Sequence, residues 1–292
     1  MTSMINCWIE GARPRTLIAS LSPVLFGMVV AWDIAVVRFP LFLAILFFAL
    51  SVQIAANFAN DYLDFIHGVD SAERVGPRRI VQAKICSVSS VRRVTFGFFT
   101  LVGVIGLYLT YVGGWFIGVL VFLAILLGYF YSGGPYPICR LGLGDPCVLI
   151  LWGPVATAGV TYLQAGTLSP IALVAGCAPG LFSTAMIAMN NLRDVDQDFK
   201  VGKRSLPVRF GSGIGRWEVA LCLSLPCLIP LCLFKMTGGA HPLSLCSVGC
   251  LALVIPLVRS LFRGCAPSTL FPKVVVIFTL HTLLFTLGWV SS

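Results

Sequence analysis

Charged side chains are scarce in this 292-residue chain: 11% of residues are Asp, Glu, Lys or Arg, against 58% hydrophobic. A soluble globular domain carries about a quarter charged residues, so that class is excluded. Disorder needs low hydrophobicity and is excluded too. Acids are the scarcer charge, 11 against 20 Lys and Arg, which leaves a net charge of +9. Histidine occurs only at His67, His241 and His281, and no convincing Ser, Cys or His nucleophile constellation is present. The eleven cysteines include no C-x-x-C pair, and most fall inside apolar runs, as Cys222, Cys227, Cys232, Cys246 and Cys250 do. They read as small membrane-buried side chains rather than metal ligands or disulfides. No signal peptide is expected, because the first apolar run lacks a small-residue cleavage site and is too long for a signal core.

What the chain has instead is long apolar runs. Spans are expected near 16–32, 39–60, 92–110, 114–131, 146–163, 168–190, 214–234, 242–262 and 272–290. Nine membrane helices use about 180 residues, which leaves loops and no soluble domain. The expected fold is all-α, a single polytopic membrane domain over 1–292 in the lipid bilayer. With the N-terminus cytoplasmic and nine crossings, 18 of the 20 Lys and Arg fall on the cytoplasmic side, and only Arg38 and Lys235 lie outside. That bias is the positive-inside pattern. It accounts for the basic balance, which in a soluble protein would suggest nucleic acid; no nucleic-acid partner is expected. The C-terminus then lies on the opposite side. Gly114 and Gly118 form a G-x-x-x-G pair, a weak mark of close helix packing.

Ten of the eleven acids are cytoplasmic in the same scheme, and only Asp33 is outside. Acids do not set topology, so their bias needs another cause. Most sit in two clusters, one after the second span and one after the sixth. In the first, Asn57, Asp61 and Asp64 stand at i, i+4 and i+7; in the second, Asn190, Asp194 and Asp198 stand at i, i+4 and i+8. Each set shares one helical face, with Asp196 pointing away and Asp70 off the first stripe. Asn57 and Asn190 lie four spans apart, which suggests parallel repeats over about 12–131 and 146–262 with a ninth helix at about 272–290.

Carboxylates at a membrane helix end are costly unless they face water, a partner or a cation. Two facing stripes of carboxylate and amide oxygens suit Mg²⁺, a hard ion usually bound together with substrate phosphates. Four aspartates, two Mg²⁺ and a diphosphate near −3 sum to about −3, so cations belong nearby. Arg78, Arg79 and Lys84 follow the first cluster, and Lys203, Arg204 and Arg209 follow the second.

At these residues the chain resembles the UbiA superfamily of intramembrane prenyltransferases, in particular its 1,4-dihydroxy-2-naphthoate branch. Four segments carry the resemblance: Ala12 to Thr16; Asn57 to Gln82, with Asn60-Asp61-Tyr62 and Gly76-Pro77-Arg78-Arg79; Tyr131 to Pro137 followed by Gly142 to Asp145; and Asn190 to Gly211. One departure is Ala83-Lys84 after Gln82, where the branch commonly has Ser-Gly.

The resemblance implies nine helices around a cavity open to the cytoplasmic side, in a plasma (inner) membrane protein. It also implies a reaction. A polyprenyl diphosphate binds with its head at Mg²⁺ held by Asn57, Asp61, Asp64, Asn190, Asp194 and Asp198. The basic residues above stabilise the departing diphosphate. The acceptor ring attacks the allylic carbon and loses its carboxylate, giving demethylmenaquinone. Arg15, Gln82, Tyr131 and Ser132 are the candidate acceptor-binding residues, and Asp145 either anchors their loop or bonds substrate. Other aromatic acceptors, namely 1,4-dihydroxy-6-naphthoate, 4-hydroxybenzoate or a porphyrin-type ring, stay open. So do a cation transporter and a non-catalytic scaffold. Both acidic clusters at span ends rather than at midplane weigh against transport.

Overall fold

The computed structural model describes residues 4–69 and 76–292. Asp70, Glu73 and Arg74 of the first polar loop lie outside the described residues. Every regular element among the described residues is helical.

A short helix α1, Met4–Ala12, precedes α2, Ile18–Trp32, and the two stretches meet at a 50° bend. Trp8 of α1 packs edge-on against Phe58, while Ile5 and Ile9 are exposed. Seven further helices are long and apolar enough to cross a membrane: α3, Phe39–Ile66; α4, Val88–Phe130; α5, Gly144–Ala165; α6, Pro170–Arg193; α7, Ser212–Met236; α8, Pro242–Phe262; and α9, Pro267–Val290. The bent α1–α2 pair makes an eighth candidate.

The helix α4 is 43 residues long, and a straight helix of that length would measure about 65 Å, twice a hydrocarbon core of about 30 Å. It is not straight. Gly114 has φ 72° and ψ −169°, a conformation only glycine adopts freely, and the chain reverses there. Gly118 returns beside Thr110, Val121 beside Gly106, and Gly128 beside Phe99. The two runs expected at 92–110 and 114–131 are thus the arms of one antiparallel hairpin, and Gly114 is its turn. The arms touch closely: a β-carbon on Gly106 would stand 2.5 Å from Val121 Cγ1. Gly106→Val is therefore expected to force them apart at about 1–3 kcal/mol, the usual cost of overpacking. A lowered detergent melting temperature checks this; an unchanged one rejects tight contact.

The most buried membrane helix is α6, with 67% of its apolar window inside the protein. It packs against α2, α5, α7 and α9. Small residues on it (Ala172, Ala175, Ala178, Gly176 and Gly180) let its neighbours approach. At one end of the bundle the Asp33 carboxylate accepts a hydrogen bond from Trp289 Nε1 at 2.8 Å and pairs with His241 Nε2 at 2.9 Å. This joins the end of α2 to the start of α8 and the end of α9. The two polar clusters of the sequence lie at the other ends of α3 and α6.

Candidate active site

The polar stripe on α3 begins earlier than its acids. Gln53, Asn57, Asn60 and Asp64 recur at steps of four, three and four residues, and all four line a cavity of about 840 Å³. Across the cavity stand Asn190, Asn191, Asp194 and Asp198. Asp194 ends α6, and Asp198 lies on the short helix Val195–Lys200 that follows. The break does not disturb the spacing, so the second stripe faces the cavity as expected, with Asp196 exposed.

The first stripe needs a correction. Asp61 is 1% exposed and is not part of the cavity wall. Its carboxylate accepts hydrogen bonds from the backbone N–H groups of Ile80 and Val81, at 3.2 and 3.1 Å. One helical residue is a 100° turn, so Asn60, not Asp61, takes the cavity position between Asn57 and Asp64. Asp61 instead fastens the segment that carries Arg78 and Arg79.

Asn60 is a junction. Its Oδ1 accepts from Arg13 Nη2 at 2.8 Å and from Arg79 Nη1 at 2.6 Å. Its Nδ2 donates to Asp64 Oδ2 at 2.5 Å and to Ser132 Oγ at 2.9 Å. These four bonds use the full capacity of a carboxamide. Arg13 reaches it from a left-handed backbone at φ 52°, a conformation that costs a non-glycine residue about 1–3 kcal/mol. Such strain persists where surrounding contacts over-determine it, and here the side-chain anchor supplies one.

Each carboxylate of the two stripes is matched with a cation. Arg79 Nη2 lies 3.6 Å from Asp64 Oδ2. Arg193 grips Asp194 with two bonds, Nε to Oδ1 at 2.7 Å and Nη2 to Oδ2 at 2.6 Å, and donates Nη1 to Asn190 Oδ1 at 3.0 Å. Lys203 Nζ stands 2.8 Å from Asp198 Oδ2 and 3.0 Å from Asn191 Oδ1. Asn191 Nδ2 passes the chain on to Asp145 Oδ1 at 3.2 Å. Asp145 therefore anchors this network through Asn191, a role different from the two expected for it. Burial raises the Asp198 pKa above the usual carboxylate range, and the Lys203 charge opposes that rise. Burial also works to lower Lys203, but Asp198 outweighs it and leaves the ammonium above its ordinary value. Cys139 on the same wall is pushed up to about 11 by burial and by Asp64, so it is a thiol at neutral pH.

The match to known proteins follows this geometry. The model of the UbiA prenyltransferase family matches residues 20–289. The chain belongs to that family. A 1,4-dihydroxy-2-naphthoate octaprenyltransferase of Escherichia coli K12 is 34% identical over 240 residues, covering 80% of this chain and 78% of that protein. A protein of the same name from Haemophilus influenzae is 30% identical, covering 97% and 96%. Among solved structures, a UbiA homolog from Archaeoglobus fulgidus bound to DMAPP and Mg²⁺ superposes with a TM-score of 0.64, 15% identity and coverage of 97% and 99%. An apo UbiA homolog from Aeropyrum pernix K1 gives 0.69, at 13% identity with 91% and 96% coverage. At such identities these structures share the fold.

Other sequence-expected residues of this UbiA chain divide in two. Arg15, Arg78, Arg79, Lys203 and Tyr131 line the cavity. Gln82, Lys84, Ser132, Arg204 and Arg209 do not. Lys84 is exposed at φ 56°, Arg209 is exposed and lies 5.3 Å from the Phe210 ring, and Arg204 is exposed with its backbone N–H on Arg140 O. Ser132 is buried and acts through Asn60. The residues that sequence reasoning missed are Arg13, Gln53, Asn60, Asn191 and Arg193. For Gln53 and Asn60 a signal existed: extending the polar stripe back along α3 at helical spacing picks out both. Arg13 sits in the quoted Ala-Arg-Pro-Arg-Thr segment, two residues before the Arg15 that was chosen.

A divalent ion has suitable donors here, because the facing groups are carboxylate and carboxamide oxygens. Among the described residues, no three Asp, Glu, His or Cys side chains converge on one point. That fits an ion held by one or two carboxylates and completed by substrate phosphate, as Mg²⁺ usually is, rather than an all-protein cage.

Proposed function

We propose that this chain transfers a polyprenyl group from polyprenyl diphosphate to 1,4-dihydroxy-2-naphthoate with loss of the ring carboxylate, building the demethylmenaquinone skeleton. The observation that carries the reading is the cavity itself: two oxygen stripes face each other, and every carboxylate in them already holds a basic partner. The naphthoate relatives supply the acceptor.

In this reading Asn57, Asp64, Asn190, Asp194 and Asp198 would hold Mg²⁺. Bound Mg²⁺ contributes Lewis-acid stabilisation of charge on the departing diphosphate. Arg79, Arg193 and Lys203 exchange their carboxylate partners for phosphate oxygens as the donor enters. Arg suits this role through its planar fork, and Lys203 through its compact charge. Arg13 and Arg78 line the same wall. The C1–O bond of the donor breaks, the electron pair leaves with diphosphate, and the ring carbon that bears the carboxylate bonds to C1. The ring–carboxylate bond then breaks, its electron pair returns to the ring and restores aromaticity, and CO₂ leaves. Arg15 pairs the acceptor carboxylate before it leaves, and Tyr131 borders the ring. Gln82 and Ser132 support the site without facing it. The cavity opens to the cytoplasm of an inner membrane protein whose nine crossings count the α1–α2 pair once and the α4 hairpin twice. In this reading the two stripes occupy equivalent helices of a four-plus-four repeat.

Membranes containing the protein, supplied with Mg²⁺ and a long-chain polyprenyl diphosphate, test the reading. Three acceptors are compared: 1,4-dihydroxy-2-naphthoate, its 6-carboxylate isomer and 4-hydroxybenzoate. The expected product, identified by mass, is a prenylated naphthalene lacking CO₂, formed only from the 2-carboxylate. Product from another acceptor alone moves the chain to that acceptor.

A further inference from the structure

A second, apolar cavity of about 160 Å³ lies in the bundle between α2, α3, the α4 hairpin and α5. It meets the polar cavity at one level. On α2, Ala19 faces the polar cavity and Ser20 the apolar one; Gln53 and Val52 divide α3 the same way, and Gly128 and Leu127 divide α4. Among the described residues, Trp152 alone lines both.

Trp152 is held at that boundary. It sits on a π-helical turn, Leu151–Val155, whose next residue, Gly153, leaves helical geometry at φ −113° and ψ −108°. Single π turns inside α-helices recur at functional positions. The indole Nε1 donates to Gln53 Oε1 at 3.1 Å, and Ser20 Oγ donates to the same oxygen at 3.1 Å. With both donors on its oxygen, the Gln53 amide must turn its Nε2 toward Asn57 Oδ1, which lies 3.5 Å away. One hydrogen-bonded chain thus runs from the boundary into the oxygen stripe of α3.

A prenyl diphosphate has the same division as the two cavities, and its polar head and apolar chain join at C1. The geometry points to Trp152 as the positioning residue for the first isoprene unit, set by Gln53 and Ser20 at the place where the bond to diphosphate breaks. This rests on reading the polar cavity as the diphosphate site. The Trp152 side chain borders both cavities. It packs on the first isoprene unit, faces the carbon that becomes cationic, and keeps cavity water from it. Tryptophan is the best of the aromatic side chains for holding a cation over its face. An apolar cavity of this size takes a benzene-sized guest, about one further isoprene unit, so the rest of a long chain continues beyond it.

Water reaching C1 produces a side reaction: its oxygen bonds to C1, the C1–O bond to diphosphate breaks, and a proton is released, leaving prenyl alcohol. The test compares wild type, Trp152→Ala and Trp152→Phe in two measurements. In the first, with Mg²⁺ and no acceptor, binding of geranyl thiolodiphosphate and of inorganic diphosphate is measured at equilibrium. Trp152→Ala is expected to weaken the geranyl compound five- to tenfold and to leave inorganic diphosphate unchanged, and Trp152→Phe to recover most of the loss. In the second, the ratio of prenyl alcohol to prenylated ring is expected to rise at least threefold in Trp152→Ala. Equal losses of both ligands, or no loss of either with an unchanged product ratio, overturn the proposal. Wild type that binds geranyl thiolodiphosphate but prenylates no ring sinks the acceptor assignment and leaves the Trp152 assignment standing on the binding data. Wild type that binds inorganic diphosphate but not the geranyl compound sinks both.

Discussion

Asp64→Asn and Asp194→Asn each reduce prenyl transfer by about three orders of magnitude while leaving the melting temperature of the purified protein nearly unchanged. The size follows from where the charge develops. Removing a single preorganised stabiliser of transition-state charge costs about 10²–10³ in rate in well-studied enzymes. Here the asparagine also weakens the site's hold on a divalent ion. The fold is spared because the substitution is isosteric and the cavity faces water. At Asp194 a carboxamide oxygen still accepts from Arg193, which already donates to Asn190 Oδ1 at 3.0 Å. Initial rates of product formation, paired with a Mg²⁺ titration of donor binding, check the expectation. A variant that keeps more than a tenth of the wild-type rate removes its aspartate from the proposed metal set.

Asp61→Ala gives the opposite signature. Its carboxylate holds two backbone N–H groups and is 1% exposed. Deleting it strands both donors in a water-poor interior, at about 1–3 kcal/mol each. The expected result is a fall of roughly 4–24 °C in detergent melting temperature, at about 2–4 °C per kcal/mol for a chain of this size. Asp61→Asn keeps one acceptor oxygen and loses about half as much. Activity falls in both through displacement of the Arg78–Arg79 segment, so donor KM rises more than kcat falls. If Asp61 instead binds metal, as its place in the sequence motif suggests, Asp61→Ala loses kcat with the melting temperature intact. Thermal denaturation and steady-state kinetics on the same preparation separate the two.

That contrast shows where sequence reading stops. The spacings 57, 61, 64 and 57, 60, 64 both describe a stripe on one helix, and they differ by a single residue. What chooses between them is the Ile80–Val81 backbone, about 20 positions downstream, which takes Asp61 for itself. No local pattern carries that choice. The second stripe keeps its sequence spacing: among the described residues Asp194 and Asp198 pair with Arg193 and Lys203, which line the same cavity. The membrane helices were legible because hydropathy and charge act over whole spans, and even the α4 hairpin appeared as a gap between two runs at residues 110–114. The basic residues were harder. Arg193 directly precedes its partner Asp194, and helical spacing puts no two adjacent side chains on one face. A backbone turn at Asp194, φ −99° and ψ 15°, brings them together. Arg204 and Arg209 satisfy the same composition argument as Lys203 but lie outside the cavity, because only Lys203 returns to Asp198.

The junction at Asn60 also bears on how the protein is made. Its partners are Arg13, Asp64, Arg79 and Ser132, so all of it is encoded before residue 133. Among the described residues, the side-chain hydrogen bonds of the opposite stripe join Asp145, Asn190, Asn191, Arg193, Asp194 and Lys203. Chains emerge from the ribosome N-terminus first, and their parts fold as they appear. All residues of the half-site around Asn60 therefore leave the ribosome with the α4 hairpin, before Asn190, Arg193 and Lys203 of the opposite stripe follow.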